Sequence, residues 1–348
     1  MNEERLVDFV LWRPVERRLA RVVALGGGTG LPVVLKALRS HLPDHCRITA
    51  VVTSADDGGS SGVLRREYGV LPPGDIRNCL MALASVAPEV SAALQYRVGG
   101  GAAQHPVGNL LLTALDLVAV DEVTAIRLAA GLLAVKDAIL PSTTARVQLV
   151  AELVDGRSIH GESEIPRGGA PIRCVRIEPA DATPTPAVLD ALEEADAVIL
   201  GPGSLYTSLL ATLVVPGIAE AVRRARAMKI FVCNAMTEPG ETDGYGVAEH
   251  LDALGAHGLP PEALDRVLVN TSPIPPKVRA RYLAEGAVPV DADVVPDGDR
   301  ARLVRAALLE PGPVVRHDPD KLGPILRELA RDGQSRTGPR PRTGAKTA

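Results

Sequence analysis

The chain is short of aromatic rings: five tyrosines, two phenylalanines and one tryptophan in 348 residues. Surfaces that bind single-stranded nucleic acid stack bases on such rings, so this function has little to work with. An excess of either charge is missing too. The formal net charge is −4, which gives no broad basic face for nucleic acid or an anionic membrane. Arg13, Arg17, Arg18 and Arg21 near the start, and Arg336, Arg340, Arg342 and Lys346 near the end, read as solvated termini. The four cysteines, Cys46, Cys79, Cys174 and Cys233, form no C-x-x-C pair. That spacing excludes a thiolate zinc knuckle and a disulfide scaffold, and suits structural thiols in a reducing cytoplasm. No apolar run is long enough to span a bilayer. The apolar stretch LVDFVLW is short, is broken by Asp8 and lacks a small-residue cleavage site, so it is not read as a signal peptide.

What is present is enough apolar material for a sizeable core, 46% hydrophobic against 23% charged, which excludes global disorder. The pattern predicts an α/β fold: a Rossmann-like, doubly wound, mainly parallel sheet with a small antiparallel β insertion. Residues 1–20 read as an N-terminal extension, 21–330 as a single domain with the insertion at about 141–180, and 331–348 as a disordered basic tail. RVVAL at 21–25 reads as a buried strand, LPVVLKALRSHL at 31–42 as a helix with Pro32 in its first turn, and RITAVVTS at 47–54 as a second strand. Helical runs follow at 75–86, 108–120 and 122–135, with a glycine-rich loop at 97–108. Alternation and the turn signal Asp155-Gly156 mark the insertion. Strand, glycine loop and helix recur at 195–213, and 229–234 and 266–270 read as further strands.

The glycine loop Gly26, Gly27, Gly28, Thr29, Gly30 matches neither common phosphate motif. A dinucleotide fingerprint needs glycine at position 31, where Leu31 stands, and a P-loop needs Gly-Lys-Ser/Thr, where Leu31-Pro32 follows Gly30. The physics of such a junction still favours an anion: glycines let the backbone approach a ligand, and a helix start presents free N–H groups. A tight βα turn without a ligand fits equally well. The next loop, TSADDGGSSG, adds Asp56 and Asp57, which can accept from ribose hydroxyls or hold Mg²⁺, although D-D-G-G is also good turn chemistry. In LPPGDIRN, Asp75 reads as an N-cap, with Arg77 and Asn78 in the first turn of the helix. GPGSLYTS contributes Gly203, Ser204 and Tyr206, and NAMTEPGETDGYG contributes Asn234. GGSSG around Ser60 has the form of a nucleophile elbow, but it reads as a polar loop with no helix directly behind it. No nucleophile is assigned.

Taken in order, GGGTGL, SADDGGSSG, LPPGDIRN, ILPST, LGPGSLYTS, MTEPGETDGY, YLAEGAVPV and RHDP run from Gly26 to Pro319. This set resembles the YvcK family, the gluconeogenesis-factor-like proteins, within a superfamily that includes CofD, the 2-phospho-L-lactate transferase. The resemblance implies a Rossmann-like fold in the cytoplasm and the binding of a UDP-sugar such as UDP-N-acetylglucosamine. It also implies a role in cell shape and cell-wall precursor supply during gluconeogenic growth. It carries over Gly26 to Gly30, Asp56, Asp57, Asn78, Asn109, Gly203, Ser204 and Tyr206, and it adds Tyr282 against the uracil or sugar and Arg316 against the diphosphate. The sequence departs from the family pattern at Gln104 and Pro106, where glycine and serine are expected, and at Pro319, where related chains can carry a threonine. Two functions remain open: a non-catalytic binding and regulatory protein, with cell-wall or regulatory proteins or a second copy of the chain as partners, and a CofD-like transferase using Mg²⁺ at Asp56 and Asp57.

Overall fold

The first strand forms where the sequence is apolar at every position from Val22 to Leu25, and it stops at Gly26, whose φ of +153° suits glycine alone. The computed structural model describes residues 20–99, 104–291 and 302–337. Its strands are β1 (Arg21–Gly26), β2 (Arg47–Val52), β3 (Arg97–Val98), β4 (His105–Pro106), β5 (Ala138–Pro141), β6 (Gln148–Leu153), β7 (Ser158–His160), β8 (Ile172–Glu178), β9 (Ala197–Leu200), β10 (Met228–Val232), β11 (Arg266–Asn270) and β12 (Leu303–Ala306). The first helices are α1 (Gly30–His41), α2 (Gly59–Tyr68), α3 (Pro73–Leu83), α4 (Pro88–Gln95), α5 (Val107–Val118) and α6 (Glu122–Leu132).

Seven strands make one parallel sheet in the order β12-β11-β10-β9-β1-β2-β5. The chain winds outward from β1 through β2 to β5, returns to β9 on the other side of β1, and winds outward again. The order therefore reverses between β1 and β9, which is where open α/β sheets leave a crevice beyond the strand ends. Side chains alternate across the sheet. Val22 and Ala24 enter the core under α1 and α3, while Val23 and Leu25 enter the core on the opposite face. Both faces are covered, which is why the central strands are continuously apolar rather than alternating.

The antiparallel insertion is a three-stranded sheet, β7-β6-β8, placed in sequence between β5 and β9. Three elements differ from the sequence reading. The stretch read as a polar loop around Ser60 is helix α2, in which Gly62 lies so close to the Asp57 carbonyl that a Cβ would meet it at 1.8 Å. The glycine-rich loop at 97–108 contains the short β3–β4 pair. A helix Pro319–Thr337 carries the fold past residue 330, burying Leu322, Leu326, Leu329 and Ala330 against α1. Past residue 330 the helix is held by the close fit of Gly333, where a Cβ would meet the Asp196 carbonyl oxygen at 2.1 Å, and by Arg336 donating to Asp265. The extension expected at 1–20 falls almost wholly outside the described residues, as do the last residues of the expected tail. Among the described residues, no single helix is long and apolar enough to cross a membrane.

Candidate functional site

The glycine loops after β1 and β9 flank the reversal point and pack on each other. A Cβ at Gly30 would lie 2.1 Å from the Pro202 carbonyl oxygen, so only glycine permits this approach. Asn234, just past β10, fastens the second loop with a reciprocal pair: the Gly203 N–H donates to Asn234 Oδ1 at 3.1 Å, and Asn234 Nδ2 donates to the Gly203 carbonyl at 2.9 Å. Between the loops and a far wall lies a cleft of about 310 Å³. It is lined on the near side by Thr29, Gly30, Gly203, Ser204 and Asn234, and on the far side by Tyr282, Arg316 and His317. The Val315 N–H donates to the Tyr282 hydroxyl at 3.0 Å, which ties the tyrosine to the segment carrying Arg316. The Arg316 guanidinium lies 3.9 Å from the Glu310 carboxylate and is more than half exposed. His317 is buried, which pushes its imidazole down to about 4, so the ring is neutral near pH 7.

The expected residues Asp56, Asp57, Asn78 and Asn109 are not among those that line this cleft. Asp75 is not an N-cap: Pro72 occupies that position, and the Asp75 carboxylate accepts the Gly28 N–H at 2.7 Å. One amide of the loop is thus already satisfied by a side chain. Burial, with Asp56 nearby, raises Asp75 to about 6. Asp56 accepts the Gly58 N–H at 3.0 Å and is also raised by burial. Asp57 points elsewhere: its two oxygens accept from the Glu162 and Ser163 N–H groups at 3.1 and 2.9 Å, pinning a turn of the insertion. Glu162 completes the acidic group and is raised to about 8, first by burial and then by Asp56 and Asp57. Asn78 donates to the Gly28 carbonyl at 3.5 Å and accepts from Arg77 at 2.8 Å. Asn109 is buried and joins Arg77 to Ser60.

Two expectations change here. Tyr206 was assigned to the ligand loop, but its ring is 2% exposed and its hydroxyl shares a hydrogen bond with Tyr245 at 2.9 Å. Its backbone belongs to the loop and its side chain to the core. The Asp56–Asp57 pair expected to hold Mg²⁺ does not present two free carboxylates to one point, because Asp57 is spent on backbone amides. Among the described residues no group of three acidic, histidine or cysteine side chains is arranged to hold a metal ion. The sequence reading missed Glu162, whose arrival depends on the insertion folding back, and Glu241, which accepts from the Tyr206 and Thr207 N–H groups at 3.2 and 3.3 Å and is raised by burial to about 7. It also missed the proximity of His105 to Ser60, 45 residues apart and 2.8 Å between Nδ1 and Oγ. The G-x-S-x-G pattern was the available signal, but nothing local marks which histidine meets it.

A glycine-loop crevice at the reversal point of a seven-stranded parallel sheet is the geometry that comparison with known proteins must match. Residues 22–309 match the family model described as 2-phospho-L-lactate transferase CofD. The chain belongs to this family. Within it, the similar curated proteins are gluconeogenesis factors, the YvcK branch. The Bacillus subtilis (strain 168) gluconeogenesis factor is 42% identical over 316 residues, covering 90% of this chain and 98% of that protein. A putative gluconeogenesis factor from Nostoc sp. is 44% identical over 332 residues, covering 93% of this chain and 72% of that protein. A crystal structure of a UPF0052 family protein from Bacillus halodurans superposes with a TM-score of 0.82 at 38% identity, covering 89% of this chain and 99% of that one. The YvcK-type protein therefore shares its whole architecture with solved relatives.

Proposed function

We propose that this YvcK-type protein binds a nucleotide-sugar, UDP-N-acetylglucosamine, in the cleft between the two glycine loops, and that occupancy regulates cell-wall precursor supply and cell shape under gluconeogenic growth. The observation that carries the reading is the convergence of unlike elements on one cleft: the first turn of α1, the Gly203–Ser204 loop, and the Tyr282 and Arg316 wall. The first turn of a helix holds amides without intrahelical partners and the positive end of the dipole, which suits a diphosphate. The Arg316 guanidinium opposite is exposed enough to swing onto phosphate oxygens in a two-pronged contact. The neutral His317 offers a polar ring without adding charge. The cell compartment proposed is the cytoplasm, and the partners proposed are cell-wall synthesis or regulatory proteins, or a second copy of the chain.

Isothermal titration with UDP-N-acetylglucosamine tests the proposal. Saturable binding is expected, competed by UDP and weakened at least about tenfold by Arg316→Ala, in line with the loss of one charged hydrogen-bond partner. Absence of heat and of UDP competition overturns it.

A transferase reading is favoured by one finding, the match to the CofD model over residues 22–309. Of the two carboxylates that reading relies on, Asp57 is held by the Glu162 and Ser163 N–H groups. Turnover of UDP-sugars with plausible acceptors in the presence of Mg²⁺ would favour it over regulation, and binding without turnover would disfavour it.

A further inference from the structure

Ser60 and His105 do not line the cleft, and Arg77 sets the direction of the hydrogen bonds that lead to the serine. Arg77 can only donate, and its Nη1 donates to Asn109 Oδ1 at 2.9 Å. That fixes the amide orientation, so Asn109 Nδ2 donates to Ser60 Oγ at 3.0 Å. The serine oxygen accepts there, and His105 Nδ1 stands 2.8 Å away, able to take the serine proton when the ring carries its own on Nε2. With the ring proton on Nε2, this donor-only residue polarises a relay that ends with a hydroxyl facing the Nδ1 lone pair, the arrangement of a base-activated nucleophile. Ser60 is not the cap of α2, a role that falls to Gly58, so its hydroxyl is not spent on helix ends. It is half-buried, and beside it Gly59 faces open space, with no atom within 4 Å of where a Cβ would stand.

The surroundings indicate the electrophile. The starts of α2, α3 and α5 meet at this point, through Gly74 N–H donating to Ser61 Oγ at 3.1 Å and through the Asn109–Ser60 bond. The positive dipole ends of these helices and the Arg77 guanidinium favour an electrophile that gathers negative charge, as a phosphoryl group does. We propose that Ser60, with His105 as its base, is a nucleophile toward the phosphorus of a phosphoanhydride or phosphoester. Oγ forms a bond to phosphorus, and the bridging P–O bond breaks. The serine proton moves to His105 Nδ1, and the bridging oxygen leaves with its electron pair as phosphate, or as an alcohol once His105 passes the proton on to it. Neither Ser60 nor His105 lines the nucleotide-sugar cleft, and the proposal is tested without a ligand there.

The test uses diisopropyl fluorophosphate on the full chain, with the adduct located by peptide mass spectrometry. In this reaction Oγ displaces fluoride from phosphorus and His105 takes the proton. A single diisopropylphosphoryl group is expected on Ser60. Its rate should fall by about a hundredfold in His105→Gln, the low end of what a general base contributes. His105→Asn is the second variant, and a thermal melt of each reports that the fold is retained. No adduct at Ser60 under saturating reagent overturns the proposal, as does an adduct that forms at the same rate in a folded His105 variant.

Discussion

Individual residues at this site hold energies that substitution can read. At Gly30 the Pro202 carbonyl oxygen leaves no room for a methyl group. Gly30→Ala should therefore cost about 1–3 kcal/mol, the usual price of overpacking, seen as a lower urea midpoint, and should weaken nucleotide-sugar binding at the same time. The acidic group gives a pH signature. Asp75 in the fold titrates at about 6 and Glu162 at about 8, both above their ordinary values because burial disfavours the charged form. The folded chain thus holds protons that the unfolded chain releases. The stability these groups contribute is complete below about pH 4, where both states are protonated, and is lost as pH climbs through 6 and then 8. Glu162→Gln should flatten the fall in melting temperature between about pH 4.5 and pH 8 while changing little at pH 4. Asp75→Asn keeps an oxygen for the Gly28 N–H and should flatten the segment between pH 4 and pH 6. A variant whose pH profile overlays the wild type at both ends would contradict this assignment.

At the scale of elements, the helix Pro319–Thr337 is held by a close approach to α1. A Cβ at Gly323 would fall 2.2 Å from His41 Nδ1 and 2.8 Å from the Ala37 carbonyl oxygen. Gly323→Val should lever this helix away and cost about 2 kcal/mol or more, read by thermal melting. Asn234→Ala leaves the Gly203 amide and carbonyl without their partner and should cost about 1–3 kcal/mol per unsatisfied group, with lost ligand binding as the second readout. These elements also show what the sequence discloses. The β1-loop-α1-β2 unit and the strands at 197–200, 228–232 and 266–270 are legible because continuous apolar runs bounded by glycine or polar residues have few other uses. α2 is not, because Gly59, Ser60, Ser61 and Gly62 look like a loop until Gly62 is seen to need its small size beneath the Asp57 carbonyl. The last helix is hidden past residue 330 because what holds Gly333 and Arg336 there is tertiary. Within the candidate site, Thr29, Gly30, Gly203, Ser204, Asn234, Tyr282 and Arg316 were named from the sequence and line one cleft. Asp75 on Gly28, Glu162 beside Asp56, and His105 on Ser60 are tertiary pairings with no local signal.

For the whole molecule, the reversal of strand order between β1 and β9 decides where chemistry happens. It brings two glycine loops, 171 residues apart as counted from Gly30 to Gly201, into van der Waals contact and opens one cleft beyond them. The first loop meets that cleft through Thr29 and Gly30, and the acidic group through the Gly28 N–H on Asp75. The most direct test of this arrangement is a crystal structure of the protein with UDP-N-acetylglucosamine. The account predicts the diphosphate between the first turn of α1 and the Gly203–Ser204 loop, with Arg316 on its oxygens and Tyr282 beside the base or the sugar. A ligand seated away from both glycine loops, with Arg316 unmoved, would contradict it.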